Sequence, residues 1–174
     1  MIWPFKKKSE PSNELFAVYN AIVAQSRQEK FFLNFDIKDD ISGRFDILSL
    51  HICLVFIRLR SLEMKDKDFS QSLFDLFFKD MDQSLRETGV SDVAIPKKIQ
   101  KLGALFYGLL DKLTKAIDAN DKTELTKVLN RNIYDNKNEE KAFLLSQYVL
   151  QVEKHLQNQD LNDILKGNLS FSKV

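Results

Sequence analysis

Along most of this chain apolar residues recur every three or four positions, the spacing of one face of an α-helix. Leu15, Tyr19, Ile22 and Val23 make the first stripe, opposite Asn20 and Gln28. With Ser12 or Asn13 as its cap, this pattern predicts a helix to about Leu33. The stretch NFDIKDDISG interrupts it, and Ser42 is the expected cap of a second helix carrying Phe45, Leu48, Ile52, Val55, Phe56 and Leu59. Ile47, Leu50, Leu54 and Ile57 make this segment apolar on its other sides too. A helix wet on one side would waste that composition, so the pattern places it centrally, surrounded by others.

A third helix is predicted from Phe69 to about Leu85 on Phe69, Leu73, Phe77, Met81 and Leu85, with Phe74 and Phe78 widening its face. RETGVSDVAI reads as a connection, and Pro96 suits the first turn of the next helix, where a missing N–H does least harm. That fourth helix runs to about Ala116 through Ile99, Leu102, Leu105, Phe106, Leu109, Leu110 and Leu113. Asp121 followed by Glu124 resembles a capping box opening a fifth helix to Asn132. Asn138 caps a sixth, to about Leu156, and a short seventh spans Leu161 to Leu165. The expected architecture is an all-α bundle of about six to seven helices around a central apolar one. Residues 13–166 form its single domain, between an amphipathic basic tip (1–12) and a flexible tail (167–174).

Composition agrees. The chain has 174 residues, with 14 Phe but only 5 Gly and 3 Pro, too few turn residues for many short strands. Lys plus Arg number 26 against 25 Asp plus Glu, so no global charge draws the chain to DNA. Cys53 is the single cysteine, which excludes an intramolecular disulfide and a thiolate metal cluster.

Candidate chemistry is sparse. His51 and Cys53 lie two apart on a helix and point in different directions. His155 is the only other histidine, so no metal set is spaced in the sequence and no metal or cofactor is expected. His51 reads most simply as a core histidine bonded to a neighbour, and Cys53 as a small packed residue. No nucleophile elbow, zinc helix, phosphate loop or dinucleotide fingerprint occurs. Asp36, Asp39, Asp40 and Asp46 lie close together but lack the loop length and glutamate of a calcium site.

Arg44 and Asp46 are more unusual, because they enter the most apolar segment. An arginine in a first helical turn opposes the helix dipole. It is therefore expected to meet a carboxylate across a crevice, with Asp40, Asp80 and Glu87 as candidates. That pair would either clamp helices or help present a binding groove. In the N-terminal WPFKKK, Trp3 and Phe5 suit a membrane interface, and Lys6, Lys7 and Lys8 an anionic surface. A solubilising tail or a ribosome contact fits the same letters. Lys97, Lys98, Lys101, Lys112 and Lys115 give the fourth helix a basic, solvated side.

Three blocks carry a family resemblance: SGRFDILSLH (Ser42 to His51), FKDMDQSLRETGVSD (Phe78 to Asp92) and IPKKIQKLGALFYG (Ile95 to Gly108). In order and spacing, from about Tyr19 through Leu156, they resemble the ubiquinol–cytochrome c chaperone family. The chain departs from the family pattern at Thr88 and Ser91, where methionine and glycine are expected. It also has Leu109 where arginine commonly follows Phe-Tyr-Gly.

The resemblance implies an all-helical, non-enzymatic assembly factor for the cytochrome bc1 complex, with newly made cytochrome b as client. It also implies a ribosome or small-protein partner in some members. The expectation is a bacterial protein, cytoplasmic and peripheral to the inner membrane. A chaperone for a membrane protein needs an apolar surface. Adjacent positions on a helix differ by about 100°, so Phe77 with Phe78, and Phe106 with Tyr107, cannot all enter one stripe. Phe74, Phe77, Phe78, Arg86, Glu87, Phe106, Tyr107 and Leu109 are the candidate client-binding residues. The competing class is an enzyme or small-molecule binder using Arg44, Asp46 and His51 in a central pocket. A closed polar pocket would favour it, and an open aromatic groove the chaperone.

Overall fold

The apolar run Ile41–Leu59 becomes a helix enclosed by its neighbours, and every other element is arranged around it. The structure is a computed structural model describing residues 11–62 and 66–171. In chain order the helices are α1 (Asn13–Ser26), α2 (Lys30–Leu33), α3 (Ile41–Leu59), α4 (Lys67–Glu87), α5 (Ile95–Asp118), α6 (Lys122–Ile133), α7 (Glu139–Gln157) and α8 (Leu161–Leu165). Helix α3 packs on α1, α5, α6 and α7, while α4 lies against α1 and α5. The expected all-α bundle with a central apolar helix is what forms.

Several caps fall where the sequence places them. Ser12 accepts from the Leu15 amide, Asp121 from Glu124 and Asn138 from Lys141, each satisfying an amide left free in a first turn. Pro96 stands in the first turn of α5. Two expectations are corrected. The first helix ends at Ser26, whose hydroxyl bonds back to the Ile22 carbonyl, and the chain turns before α2. The turn delivers Phe31, fully buried, edge-on to both His51 and Tyr148 at 5.2 Å. A continuous helix would carry Phe31 past that site. The cap of α3 is Asp40, not Ser42: its extended backbone (φ −129°, ψ −179°) lets the carboxylate accept from the Gly43 amide at 2.8 Å.

The far end of α3 is tied by two arginines. Arg58 donates to the carbonyls of Leu156 (2.9 Å) and Gln159 (2.6 Å) at the end of α7, where a cation also suits the helix dipole. Arg60 grips Asp118 of α5 with two bonds of 2.8 and 2.7 Å. The expected boundary at residue 166 is too early. Leu169 is buried, Ser170 exchanges bonds with Gln159, and the Phe171 ring lies edge-on to His51 at 5.5 Å. The body therefore continues to Phe171.

Candidate functional site

Adjacent aromatics part company on α4 and α5, as helical geometry requires. Phe77 and Phe106 are fully buried and Leu109 nearly so; these three belong to the core rather than to an accessible surface. Phe74 and Phe78 are half-buried, with their rings 4.6 Å apart, and Tyr107 lies 5.3 Å from Phe74 with 57% of its surface exposed. Phe106 supports this ridge from beneath, 5.8 Å from Phe74 and 6.1 Å from Phe78. The result is a partly open aromatic ridge along the α4–α5 seam.

Beyond the ridge, α4 ends in a locally paired turn. Gly89 (φ +83°) stands just past the helix, a position where glycine carries no side-chain penalty. Arg86 bonds Asp82 at 2.8 Å and Asp92 at 2.5 Å, bridging the turn, and Glu87 accepts from Gln83 at 2.8 Å. All four charged groups are solvent-facing or nearly so, so these pairs add little stability.

The residues Arg44, Asp46 and His51 lie in three separate environments. Arg44 pairs with Asp39, five residues earlier, at 2.8 Å, and both are more than half exposed (64% and 56%). The expected buried pairing across the bundle is thereby corrected. A crevice of about 250 Å³ does open beside it, bounded by α1, α3 and α4 and lined in part by Arg27, Ile41, Arg44, Asp80, Met81 and Glu87. Within it, Asp80 accepts from the Tyr19 hydroxyl at 2.6 Å, and burial, with that bond second, raises the Tyr19 pKa.

His51 is fully buried in a closed network. Its Nδ1 lies 2.8 Å from the Ile47 carbonyl, which can only accept, so Nδ1 carries the proton and also meets Ser26 Oγ at 3.0 Å. Nε2 then accepts from the Tyr148 hydroxyl at 2.6 Å, and that oxygen accepts from Gln25 at 2.9 Å. Burial is the main cause holding the His51 pKa down to about 4, so the ring is neutral at physiological pH. Every polar atom of the ring is satisfied within the bundle: His51 joins α1, α3 and α7 structurally. Cys53 is likewise buried, and burial pushes its thiol pKa up, away from reactivity.

Asp46 is different. It lines a small cavity of about 40 Å³ with Phe45, Ser49, Leu105, Phe106, Leu109, Asn132 and Ile133. Burial raises its carboxyl to about 7, helped by the nearby charges of Asp135 and Asp40 and opposed by Lys38. Ser49, 1% exposed, has a hydroxyl with no hydrogen-bond partner among the described residues. Sequence reasoning missed Ser49 and Asn132, although Ser49 is a polar letter within the most apolar run of the chain. It also missed the exposed apolar side chains of Val93 (92%) and Leu33 (71%), because exposure is not written in periodicity.

Among the described residues, no group of three or more His, Cys, Asp or Glu is placed to hold a metal ion. None of their helices is long and apolar enough to cross a membrane. Trp3, Phe5, Lys6, Lys7 and Lys8 lie outside the described residues.

Known proteins share the sequence pattern, and a solved structure shares the fold. The profile of a family described as ubiquinol-cytochrome C chaperone matches residues 33–171. A Mus musculus protein, ubiquinol-cytochrome c reductase complex assembly factor 1, is 23% identical over 150 residues, covering 85% of this chain. The chain spans 50% of the length of that curated relative. The crystal structure of the Cbp3 homolog from Brucella abortus is similar with a TM-score of 0.84 and 36% identity, covering 92% of this chain and 89% of that one. The match reaches through the α3 block, the α4 turn and the α5 block to Phe171, and on that ground this protein belongs to the ubiquinol–cytochrome c chaperone family.

Proposed function

We propose that this protein is a non-enzymatic assembly factor for the cytochrome bc1 complex that holds newly made cytochrome b. It would act on the cytoplasmic side of a bacterial inner membrane. The observation that carries this reading is the aromatic ridge of Phe74, Phe78 and Tyr107, in a member of a chaperone family. A half-open row of rings on rigid helices offers a transmembrane segment contact area at small entropic cost. Phe77, Phe106 and Leu109 serve by holding the ridge, and Arg86 and Glu87 by shaping its polar end. The separate environments of Arg44, Asp46 and His51 support this reading over one that uses the three together in a central pocket. A small partner protein or the ribosome would deliver the client, with anionic lipid beneath.

The test is capture of cytochrome b from native membranes by the full chain and by Tyr107→Ser and Phe78→Ser variants. Capture should fall severalfold for both. Tyr107→Ser should change unfolding free energy by less than about 1 kcal/mol, as surface substitutions do. Undiminished capture by both variants would place the client elsewhere.

A further inference from the structure

The cavity beside Asp46 combines features that a merely structural carboxylate does not require. Its walls are apolar, from Phe45, Leu105, Leu109 and Ile133, and its polar groups are Asp46, the partnerless Ser49 hydroxyl and the Asn132 amide. The Asn132 nitrogen donates one of its two N–H groups to the Val128 carbonyl at 2.7 Å, and the amide oxygen is an acceptor. A buried hydroxyl without a partner costs free energy unless something bonds to it. Asp40 and Asp135 add negative potential and Lys38 partly offsets it, so the site favours a cation over an anion. At about 40 Å³ the space suits roughly three water-sized groups, since one needs about 10–15 Å³. An ammonium head fits there, whereas a ring or a haem does not.

We propose that Asp46, Ser49 and Asn132 form an acceptor site for an alkylammonium group, the head of a lysine side chain on a bound protein. The alkyl stem lies along Leu105, which keeps 49% of its surface exposed at the mouth, and Leu109. Asp46 supplies the charge-assisted bond, with the Ser49 and Asn132 oxygens as further acceptors. Placing that lysine on the client rests on the chaperone reading; the ammonium site itself does not.

The probe is n-butylammonium chloride added to the full-length protein, followed by amide chemical shifts of residues 46, 49 and 132. Saturable shifts are expected, with none from n-butanol. Binding should weaken at least roughly tenfold in Asp46→Asn, which retains shape and loses the charge, and less in Ser49→Ala. Because the carboxyl must ionise, affinity should be about tenfold lower at pH 6 than at pH 8, given a pKa of about 7. No saturable shift, or equal shifts from n-butanol, would overturn the site. Circular dichroism of Asp46→Asn guards against misreading an unfolded variant, and the Ser49→Ala affinity gives an independent check. Millimolar n-butylammonium should also reduce capture of cytochrome b. Binding of the amine without that reduction would overturn the protein-lysine source and leave a free amine as the ligand.

Discussion

At the scale of single residues, the segment Gly43 to Asp46 shows four different demands met by consecutive residues. Gly43 lies where a Cβ would stand 2.0 Å from the Lys38 carbonyl oxygen, which is backbone and cannot swing aside. Arg44 turns outward to Asp39, Phe45 stacks on Phe77 in the core, and Asp46 enters the small cavity. Helix propensity alone predicts that Gly43→Ala stabilises α3 by up to about 1 kcal/mol. The steric conflict predicts the opposite sign, a loss of about 1–3 kcal/mol in urea unfolding, since residues 37–40 must shift away from the helix. Arg44→Ala should by contrast leave the unfolding midpoint nearly unchanged, because its pair is exposed. A loss of several kcal/mol for Arg44→Ala would mean that it reaches a buried carboxylate.

The same logic of facing separates the two sides of α5 at the element scale. Phe106, fully buried, touches Phe56, Phe74, Phe77 and Phe78, whereas Tyr107 one position on is mostly in water. Phe106→Ala should therefore cost about 3–5 kcal/mol. Tyr107→Ser should cost less than about 1 kcal/mol, measured in the same urea series. Comparable losses at both positions would show that the α4–α5 ridge is covered in solution. Helix α3 is fixed at its far end by Arg58 and Arg60 and at its start by Asp40. Its central position thus rests on anchored ends as well as on apolar burial.

For the molecule as a whole, two ionisable groups, the fully buried His51 and the partly buried Asp46, oppose each other in their effect on stability. His51 is held down from 6.5 to about 4, so its contribution is full above 6.5 and lost as pH falls toward 4. Asp46 is raised from 3.8 to about 7, so its contribution is present at low pH and lost as pH rises through 7. At full extent each is on the order of 3–4 kcal/mol, so together they flatten the profile between about pH 4 and 6.5. Asp46→Asn should gain stability over the parent as pH rises from 4.5 to 6.5, read from urea midpoints. A difference independent of pH would mean that the Asp46 carboxyl titrates as if solvated. At the membrane, Trp3, Phe5 and Lys6 to Lys8 should float the full chain with anionic vesicles more than a chain starting at Ser12. Equal flotation would remove the tip from membrane contact. The sequence by itself determined the helical class, most helix limits within two residues and the central place of Ile41–Leu59. Those properties follow from spacing within one helix turn and from total apolar content. It also marked His51 as a core residue and the α4–α5 aromatics as too many for one stripe. Only the tertiary structure decided that Ser26 ends the first helix, because Phe31 must turn back to reach His51 and Tyr148. It likewise chose Asp39 for Arg44, a half-buried place for Phe78 and an exposed one for Tyr107, and an unpartnered Ser49 for the Asp46 cavity. Apart from the local Arg44–Asp39 pair, these depend on which distant element packs opposite a residue, and local periodicity carries no information about that.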